Sequence, residues 1–537
     1  MLTVSSTHHD FLRELNGQIT ITHPSQTGRL RALPYALALR KVALLDLDPV
    51  IDVISCLYSP RGRPATDPRM LIRSLILMYH FQETSIQLWH DRLEYDFLLQ
   101  TLCGFRGRNP AVGTYYSLMD RLYLWDISPN ILPEGKNNKP KKAKKPKGRP
   151  GRKPKSSASP PDSDIDQSGT PNPARKGEKL NLNPPGATNS LAIQAQMGEI
   201  CPERSIRILQ TLFKVIAVEP SIAMGLIDPG NLILSGDGTA VYVHANNRGH
   251  HLLEYIGTEE FDTLRRYSDP DASIGFDSDK ADYYFGYTGY FSVVHNSDKN
   301  IDLPIHFMIE SAREHDSILS IKAINQVRHL YPNINITHLC LDSASDNEAT
   351  FQLCESWSIN PVVDINKRGG KGTEKGNVTI SAAGKPICKA GEEMYCTGFD
   401  KTHNAYKYRC PYVMKRIPEC SHRDKCSKGT YGLSIYLKCN SARERAMKKH
   451  GTKQWKAIYN NRTSCERVNN RILNDYGLHK TKTRTQRRIS FMAFLVFCPN
   501  DFYIYSRKSK LLLDLYIKRN ALIIKGLIII KVNETKH

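Results

Sequence analysis

The sequence predicts a mixed α/β fold with an all-helical N-terminal region, the two joined by a disordered basic linker. Three observations predict it. From residue 191 onward, short apolar strands alternate with helical periods. Residues 34–125 carry helical apolar spacing with start and stop signals and no strand alternation. Between Lys136 and Lys155 there are 11 basic residues and no acidic one, and Pro, Ser, Gly and Asn dominate from there to Pro185. Such a composition cannot bury enough apolar surface to fold. The full chain has 537 residues, 40% of them apolar, which excludes wholesale disorder and implies two to four domains.

In chain order, Asp67-Pro68 opens a helix carrying Met70, Leu71, Leu75, Ile76, Met78 and Tyr79, with Pro at the first turn, where its missing N–H costs nothing. Ser85 is a candidate cap for a second helix through Leu93. A third spans Asp96 to Cys103 and stops at Gly104. Thr114 to Leu124 forms a fourth. After the linker a helix runs to about Val218. Leu232 to Leu234, Tyr290 to His295, Pro304 to Ile309, Ile336 to Leu341 and Pro361 to Ile365 read as strands, and Asp316 to Leu330 and Ser345 to Trp357 as helices. Residues 367–445 are rich in Gly, Cys and Lys and read as an insertion. Lys453 to Tyr476 reads as one long helix. The expected divisions are a helical domain over 1–130, the linker over 131–190, and an α/β domain over 191–366 and 446–488. The insertion spans 367–445 and an atypical tail 489–537.

Charge points to the partner. The formal net charge of +22 and pI of about 9.4 favour nucleic acid first and an acidic membrane surface second. The N-terminus has neither the basic nor the apolar region of a signal peptide. The most apolar stretches, Ile489 to Cys498 and the Lys-interrupted Ala521 to Val532, do not make a spanning helix. The reading is a soluble, intracellular protein. The 13 cysteines are few and odd in number, which argues against a disulfide framework.

Three acids stand where acids are expensive unless used. Asp237 follows the strand Leu232 to Leu234, Asp342 ends the strand Ile336 to Leu341, and Glu466 lies on the long helix. Two strand ends and a helix packed beside them can bring three carboxylates together, a site suited to Mg²⁺ or Mn²⁺ and to two-metal phosphodiester chemistry. Each also has an ordinary alternative. Asp237-Gly238 can be a hairpin turn, Asp342 can cap the following helix, and Glu466 can be a solvated helix residue. On the helix, Ile458, Cys465, Val468 and Ile472 form one apolar stripe. Tyr459, Arg462, Glu466 and Leu473 form a neighbouring one, with Arg462 one turn from Glu466.

The spacing Tyr459-x2-Arg462-x3-Glu466 resembles the tyrosine-arginine-glutamate-lysine signature of bacterial insertion-sequence DDE transposases. Further blocks agree in order: Asp67-Pro68-Arg69-Met70-Leu71, Ser85 to Leu93, Cys103-Gly104-Phe105 and Pro110 to Leu122. Asp237-Gly238-Thr239, Phe285-Gly286-Tyr287, Leu303-Pro304 and His315-Asp316-Ser317 follow. Leu341 to Asp346, Asn360-Pro361 and Asp364-Ile365-Asn366 complete the series. The resemblance implies a ribonuclease-H-like catalytic domain with Asp237, Asp342 and Glu466 as the metal-binding triad, and Tyr459 and Arg462 on the element end. It implies cleavage at element ends followed by attack of the freed 3′-hydroxyl on target DNA, by a homodimer on paired ends, in the cytoplasm at the nucleoid. The signature's lysine falls on Leu473, and Asp346 competes with Asp342 as second acid. From Ser490 the sequence is unlike the family, and a frameshifted or fused terminus is expected there. These departures leave two alternatives: a transposase-derived DNA-binding protein without catalysis, or an architectural A/T-rich DNA-binding protein.

Pro146 to Lys155 resembles an AT-hook, with Lys147, Arg149, Arg152 and Lys153 as the candidate DNA contacts. An extended Gly-Arg-Pro core fits a narrow A/T-rich minor groove; a basic tether without groove preference is the other reading. Six cysteines fall between Cys388 and Cys439, where clustering in a reducing compartment points to metal. Cys410, Cys420 and Cys426, with Cys388, are the candidate ligands of a structural Zn²⁺. Small buried residues are the alternative.

Overall fold

The computed structural model describes residues 1–2, 6–22, 33–123, 187–200, 204–245, 250–251, 265–266, 269, 271–277, 280–366, 374–375, 378–402, 405–426, 430–437, 441–480 and 482–508. The linker residues Lys147, Arg149, Arg152 and Lys153 lie outside them.

Among the described residues, the α-helices before the linker are α1 (His8–Thr22), α2 (Leu33–Leu44), α3 (Asp48–Ile54), α4 (Pro68–His80), α5 (Ile86–Tyr95), α6 (Phe97–Cys103) and α7 (Val112–Tyr123). The local chemistry is largely as expected. Asp67 caps α4 by accepting from the Arg69 N–H, with Pro68 in the first turn. Gly104 ends α6 at φ 89°, a left-handed position that favours glycine. Ser85 precedes α5 but makes no side-chain cap. Trp89 and Tyr115 both hydrogen-bond Ser74 Oγ at 2.9 Å, which satisfies the buried polar atoms where α4, α5 and α7 meet.

After the linker come α8 (Ala187–Met197) and α9 (Arg204–Phe213), the latter continuing through a π-helical turn into α10 (Glu219–Ala223). Helix α8 begins inside the segment assigned to the linker. The strands are β1 (Leu232–Tyr242), β2 (Ser273–Asp277), β3 (Asp282–Asn296), β4 (Ile301–Ser311), β5 (Ile336–Leu341) and β6 (Asn360–Val363), with α11 (Asp316–Leu330) and α12 (Glu348–Ser356) among them. They form one mixed sheet in the order β2-β3-β1-β5-β6, with β4 also on β3. Strand β3 runs antiparallel to β1 along one edge. Its other edge takes β2 first and then β4. Strands β1, β5 and β6 are mutually parallel. Helices flank both faces, which makes this the expected ribonuclease-H-like sheet.

Strand β1 does not stop at Leu234. It continues through Ser235-Gly236-Asp237-Gly238-Thr239, each paired with β3. The Asp-Gly turn alternative is therefore excluded: Asp237 sits mid-strand opposite Phe291.

The insertion holds a three-stranded antiparallel sheet, β7 (Tyr395–Asp400), β8 (Ala405–Arg409) and β9 (Ser434–Leu437). Its buried apolar core is Ile380, Met394, Tyr408 and Leu437. Helix α13 (Ala442–Met447) leads back to the main domain. The long helix expected over 453–476 is broken into α14 (Lys453–Tyr459), a 3-10 turn, α15 (Thr463–Asn470) and a π-helical turn at Arg471–Asp475. Of its expected apolar stripe, Cys465, Val468 and Ile472 are fully buried, while Ile458 is half-buried.

The C-terminal helix α16 (Gln486–Lys508) takes up the first part of the stretch expected as an atypical tail; residues 509–537 of that tail lie outside the described residues. Phe491 and every residue from Ala493 to Cys498 are 0% exposed. The helix is apolar all round there, which is why no amphipathic period marked it. It packs against β4, α9, α4 and α2, joining the N-terminal helices and the sheet in one continuous core. Phe497 stacks on Phe307 at 5.0 Å and meets Phe291 edge-on at 4.8 Å. Among the described residues, no helix is long and apolar enough to cross a membrane.

Candidate active site

Strand register brings the first two acids together. Strands β1 and β5 pair in parallel with Ser235 opposite Cys340; two residues further along each chain lie Asp237 and Asp342. Helix α15 packs across β1, β3 and β4 and brings Arg462, Glu466 and Asn469 to the same place. Arg462 Nη1 donates to Asp237 Oδ1 at 3.3 Å, and Nη2 to Glu466 Oε1 at 2.7 Å. Asn469 Nδ2 donates to Asp237 Oδ2 at 3.2 Å. The Glu466 side chain is 54% exposed, against 17% for Asp237. Asp342 also caps the turn after β5, accepting from the Ala344 N–H at 3.1 Å.

A fourth carboxylate joins them. Asp316, the first residue of α11, approaches from the opposite face of the sheet. Its Oδ1 would lie 2.3 Å from a Cβ placed on Gly238, so the glycine after Asp237 is what admits it. No side-chain hydrogen bond satisfies this carboxylate among the described residues. Burial pushes Asp237 up to about 7; Arg462 pulls down, while Asp316, Asp342 and Glu466 push further up. Burial, with Asp342 adding, pushes Asp316 to about 7 as well. Asp342 is raised by burial against the pull of Arg462. Like charges at close quarters in a desolvated site favour protonation unless a cation enters.

An all-carboxylate oxygen set suits a hard divalent cation, and the uncommitted Asp316 carboxylate and the guanidinium shared by Asp237 and Glu466 mark where positive charge is wanted. As the side chains stand, no three His, Cys, Asp or Glu groups among the described residues are disposed to hold a metal. Arg462 reaches between Asp237 and Glu466, so its guanidinium would have to shift before these residues could hold a metal.

Asp346, the competing acid, is committed elsewhere. It takes a bidentate pair from Arg443 at 2.6 and 2.7 Å and ties α13 to the sheet. Tyr459 stacks on Trp455 at 4.6 Å, 6.0 Å from the Arg462 guanidinium. Burial pushes its hydroxyl up to about 12. Leu473, at the signature's lysine position, is only 7% exposed. Cys388, Cys410, Cys420 and Cys426 line one small cavity together with His422, yet they do not stand in ligating positions.

Sequence reasoning missed Asp316 as a site residue because an acid in a helix's first turn is ordinary dipole complementation. The available signal was its place immediately after the β3–β4 hairpin, within the block His315-Asp316-Ser317.

A family model described as "Transposase DDE domain" matches residues 237–498, and one described as "Transposase domain (DUF772)" matches residues 33–119. The first match starts at Asp237 and ends at Cys498, so it includes the buried stretch of α16. No curated protein and no solved structure matches the chain. With the helical region and the acid-bearing mixed sheet both matched in order, the chain belongs to the DDE transposases of insertion sequences.

Proposed function

We propose that this transposase cleaves DNA at insertion-sequence ends and joins the freed 3′-hydroxyl to target DNA, with Asp237, Asp342 and Glu466 as the carboxylates that hold Mg²⁺ or Mn²⁺. The observation that carries this reading is the convergence of acids from the neighbouring central strands β1 and β5 and from helix α15. Bound there, divalent cations would supply an activated nucleophile and neutralise the leaving oxygen of an in-line displacement. Arg462 neutralises Asp237 and Glu466 in the resting chain and is positioned to turn its guanidinium to a DNA phosphate when the acids are otherwise compensated. Tyr459 keeps its proton at neutral pH and can donate to the element end. Asn469 fixes one oxygen of Asp237 and so orients the other.

The remaining parts follow from charge and composition. The linker, with Lys147, Arg149, Arg152 and Lys153, would enter an A/T-rich minor groove. The protein would act as a homodimer on paired ends, at the nucleoid in the cytoplasm. Cys388, Cys410, Cys420 and Cys426 would close on a structural Zn²⁺ in an insertion whose own core is four residues, and metal analysis of the purified protein tests this.

The deciding experiment is cleavage of a labelled duplex carrying the inverted repeat that flanks the gene, with Mg²⁺ or Mn²⁺. Wild type is expected to cut and Asp237→Ala to bind without cutting. Metal-dependent cutting by the variant would refute the triad. Binding without cutting by wild type would favour a DNA-binding derivative.

A further inference from the structure

A cavity of about 860 Å³ opens beside the acids, lined by Gly238 and Asp316 on one side and by Arg313, Phe276 and Leu473 on others. Its size falls within the ~300–1,000 Å³ typical of small-ligand sites. Arg313 is its unusual wall. The residue is 5% exposed, and its Nε and Nη1 are buried without a hydrogen-bond partner. Among the described residues no carboxylate pairs with it. Of the neighbouring acids, Asp277 lies 3.8 Å from Lys280 and accepts from the Tyr242 hydroxyl at 2.6 Å, and Glu314 lies 3.4 Å from Lys322; Asp316 shares the cavity wall but makes no ion pair with Arg313 and belongs to the acid cluster. A buried guanidinium left without a counter-charge is strongly unfavourable, so an anion is the missing partner. At the rim, Phe276 is 51% exposed, a flat apolar ring on which a base can stack.

We infer that this cavity takes one nucleotide of the DNA strand next to the cleaved bond, its phosphate on Arg313 and its base against Phe276. The inference rests on the transposase reading, because continuity with Asp316 and Gly238 puts the cavity one step along a strand whose reacting phosphate lies at Asp237. It gives the strand a grip from residues other than Tyr459 and Arg462. It also gives Leu473 a role: where a lysine would contact phosphate, the leucine forms an apolar wall of this cavity.

The test uses the full-length protein in EDTA, so that no metal-bound phosphate contributes, at salt high enough to suppress non-specific binding by the linker. Thermal shift is measured against deoxyadenosine, dAMP and the dinucleotide pdApdA. Protection is expected from dAMP, more from the dinucleotide, and none from deoxyadenosine. Arg313→Ala should weaken dAMP binding by about tenfold or more, the worth of one charge-assisted hydrogen bond. Arg313→Lys should recover part of it. Should Arg313→Ala fail to fold, Arg313→Lys and the rim variant Phe276→Ala carry the test, each with a several-fold loss. Undiminished dAMP binding in the Arg313 variants would overturn the site. Equal protection by dAMP and pdApdA would overturn its assignment to a strand. Cleavage is read separately: Asp237→Ala should lose cutting and keep dAMP binding, so the two readings fail independently.

Discussion

The buried Asp302 and the half-buried Asp237 are both acids on the central sheet, and both meet an arginine at helix α15. Their surroundings could hardly differ more. Asp302 takes two hydrogen bonds from Arg467 at 2.6 and 2.7 Å and one from His295 at 2.7 Å, with Arg471 3.7 Å away. Burial works against its charge, but Arg467 and His295 outweigh burial and hold it below the usual carboxylate range. Asp237 shares one arginine with Glu466, lies beside two further acids, Asp316 and Asp342, and is pushed up to about 7. An acid that serves the scaffold comes with its cations built in. The acids of the site are left short of positive charge, and that deficit is what a metal and a phosphodiester can exploit.

The contrast can be broken by mutation. Asp237→Asn should lower cleavage on the order of 10⁴-fold, the several kcal/mol that metal activation supplies. The chain should stay folded, because the change removes a repelling charge. A gel assay of end cleavage beside a thermal melt checks both halves. Asp302→Ala should do the reverse. It leaves the half-exposed Arg467 and the His295 ring without their acid and should cost about 1–3 kcal/mol of stability, read by urea denaturation. If the Asp302 variant melts like wild type, paired and unpaired acids do not differ as argued.

Proton linkage sharpens the comparison at a smaller scale. Asp237 and Asp316 are raised, so between about pH 4 and 7 the folded chain binds more protons than the unfolded one. Stability from these acids is therefore highest below pH 4 and is lost as pH rises through 7. His306 opposes this: burial lowers it to about 4, against a Gln326 hydrogen bond that pulls the other way, so its contribution is lost as pH falls from about 6.5 to 4. The informative quantity is thus Asp237→Asn minus wild type in metal-free buffer. That difference should grow by on the order of 2 kcal/mol from pH 4 to 7 and shrink when Mn²⁺ is added. A difference flat with pH would mean that Asp237 is not raised.

Much of this was legible in the residues. Strand β5 and helix α11 start and end where their apolar runs and flanking residues place them, because each is a short local pattern buried in full. Strand β1 was underestimated because Gly236 and Gly238 look like a turn. Only the pairing with β3, and the room needed by Tyr290 and Asp316, explains glycines inside a strand. Helix α16 was misjudged for a related reason. A helix buried on every side has no period to detect, so Phe491 to Cys498 looked foreign when it was central. The approach of Asp237, Asp342 and Glu466 to one another was readable from strand ends and a helix stripe. Asp316 and Arg313 were not, since their roles come from which cavity they enter, and no local pattern encodes that.

The smallest test concerns the glycine that lets the two faces meet. A Cβ at Gly238 would fall 2.3 Å from Asp316 Oδ1, so Gly238→Ala must displace that carboxylate. The strain should cost about 1–3 kcal/mol, the usual penalty of overpacking. Strain that arises from Asp316 should largely vanish once the carboxylate is gone. In a double-mutant cycle, adding Gly238→Ala to Asp316→Ala should then cost under about 0.5 kcal/mol, and the gap between the two costs is the coupling energy. If the costs are equal, the glycine is needed by the strand alone and Asp316 does not reach Asp237 across it. If the coupling appears, the fourth acid stands where it can share the site's cation, and Asp316→Ala should also weaken Mn²⁺ binding measured by calorimetry.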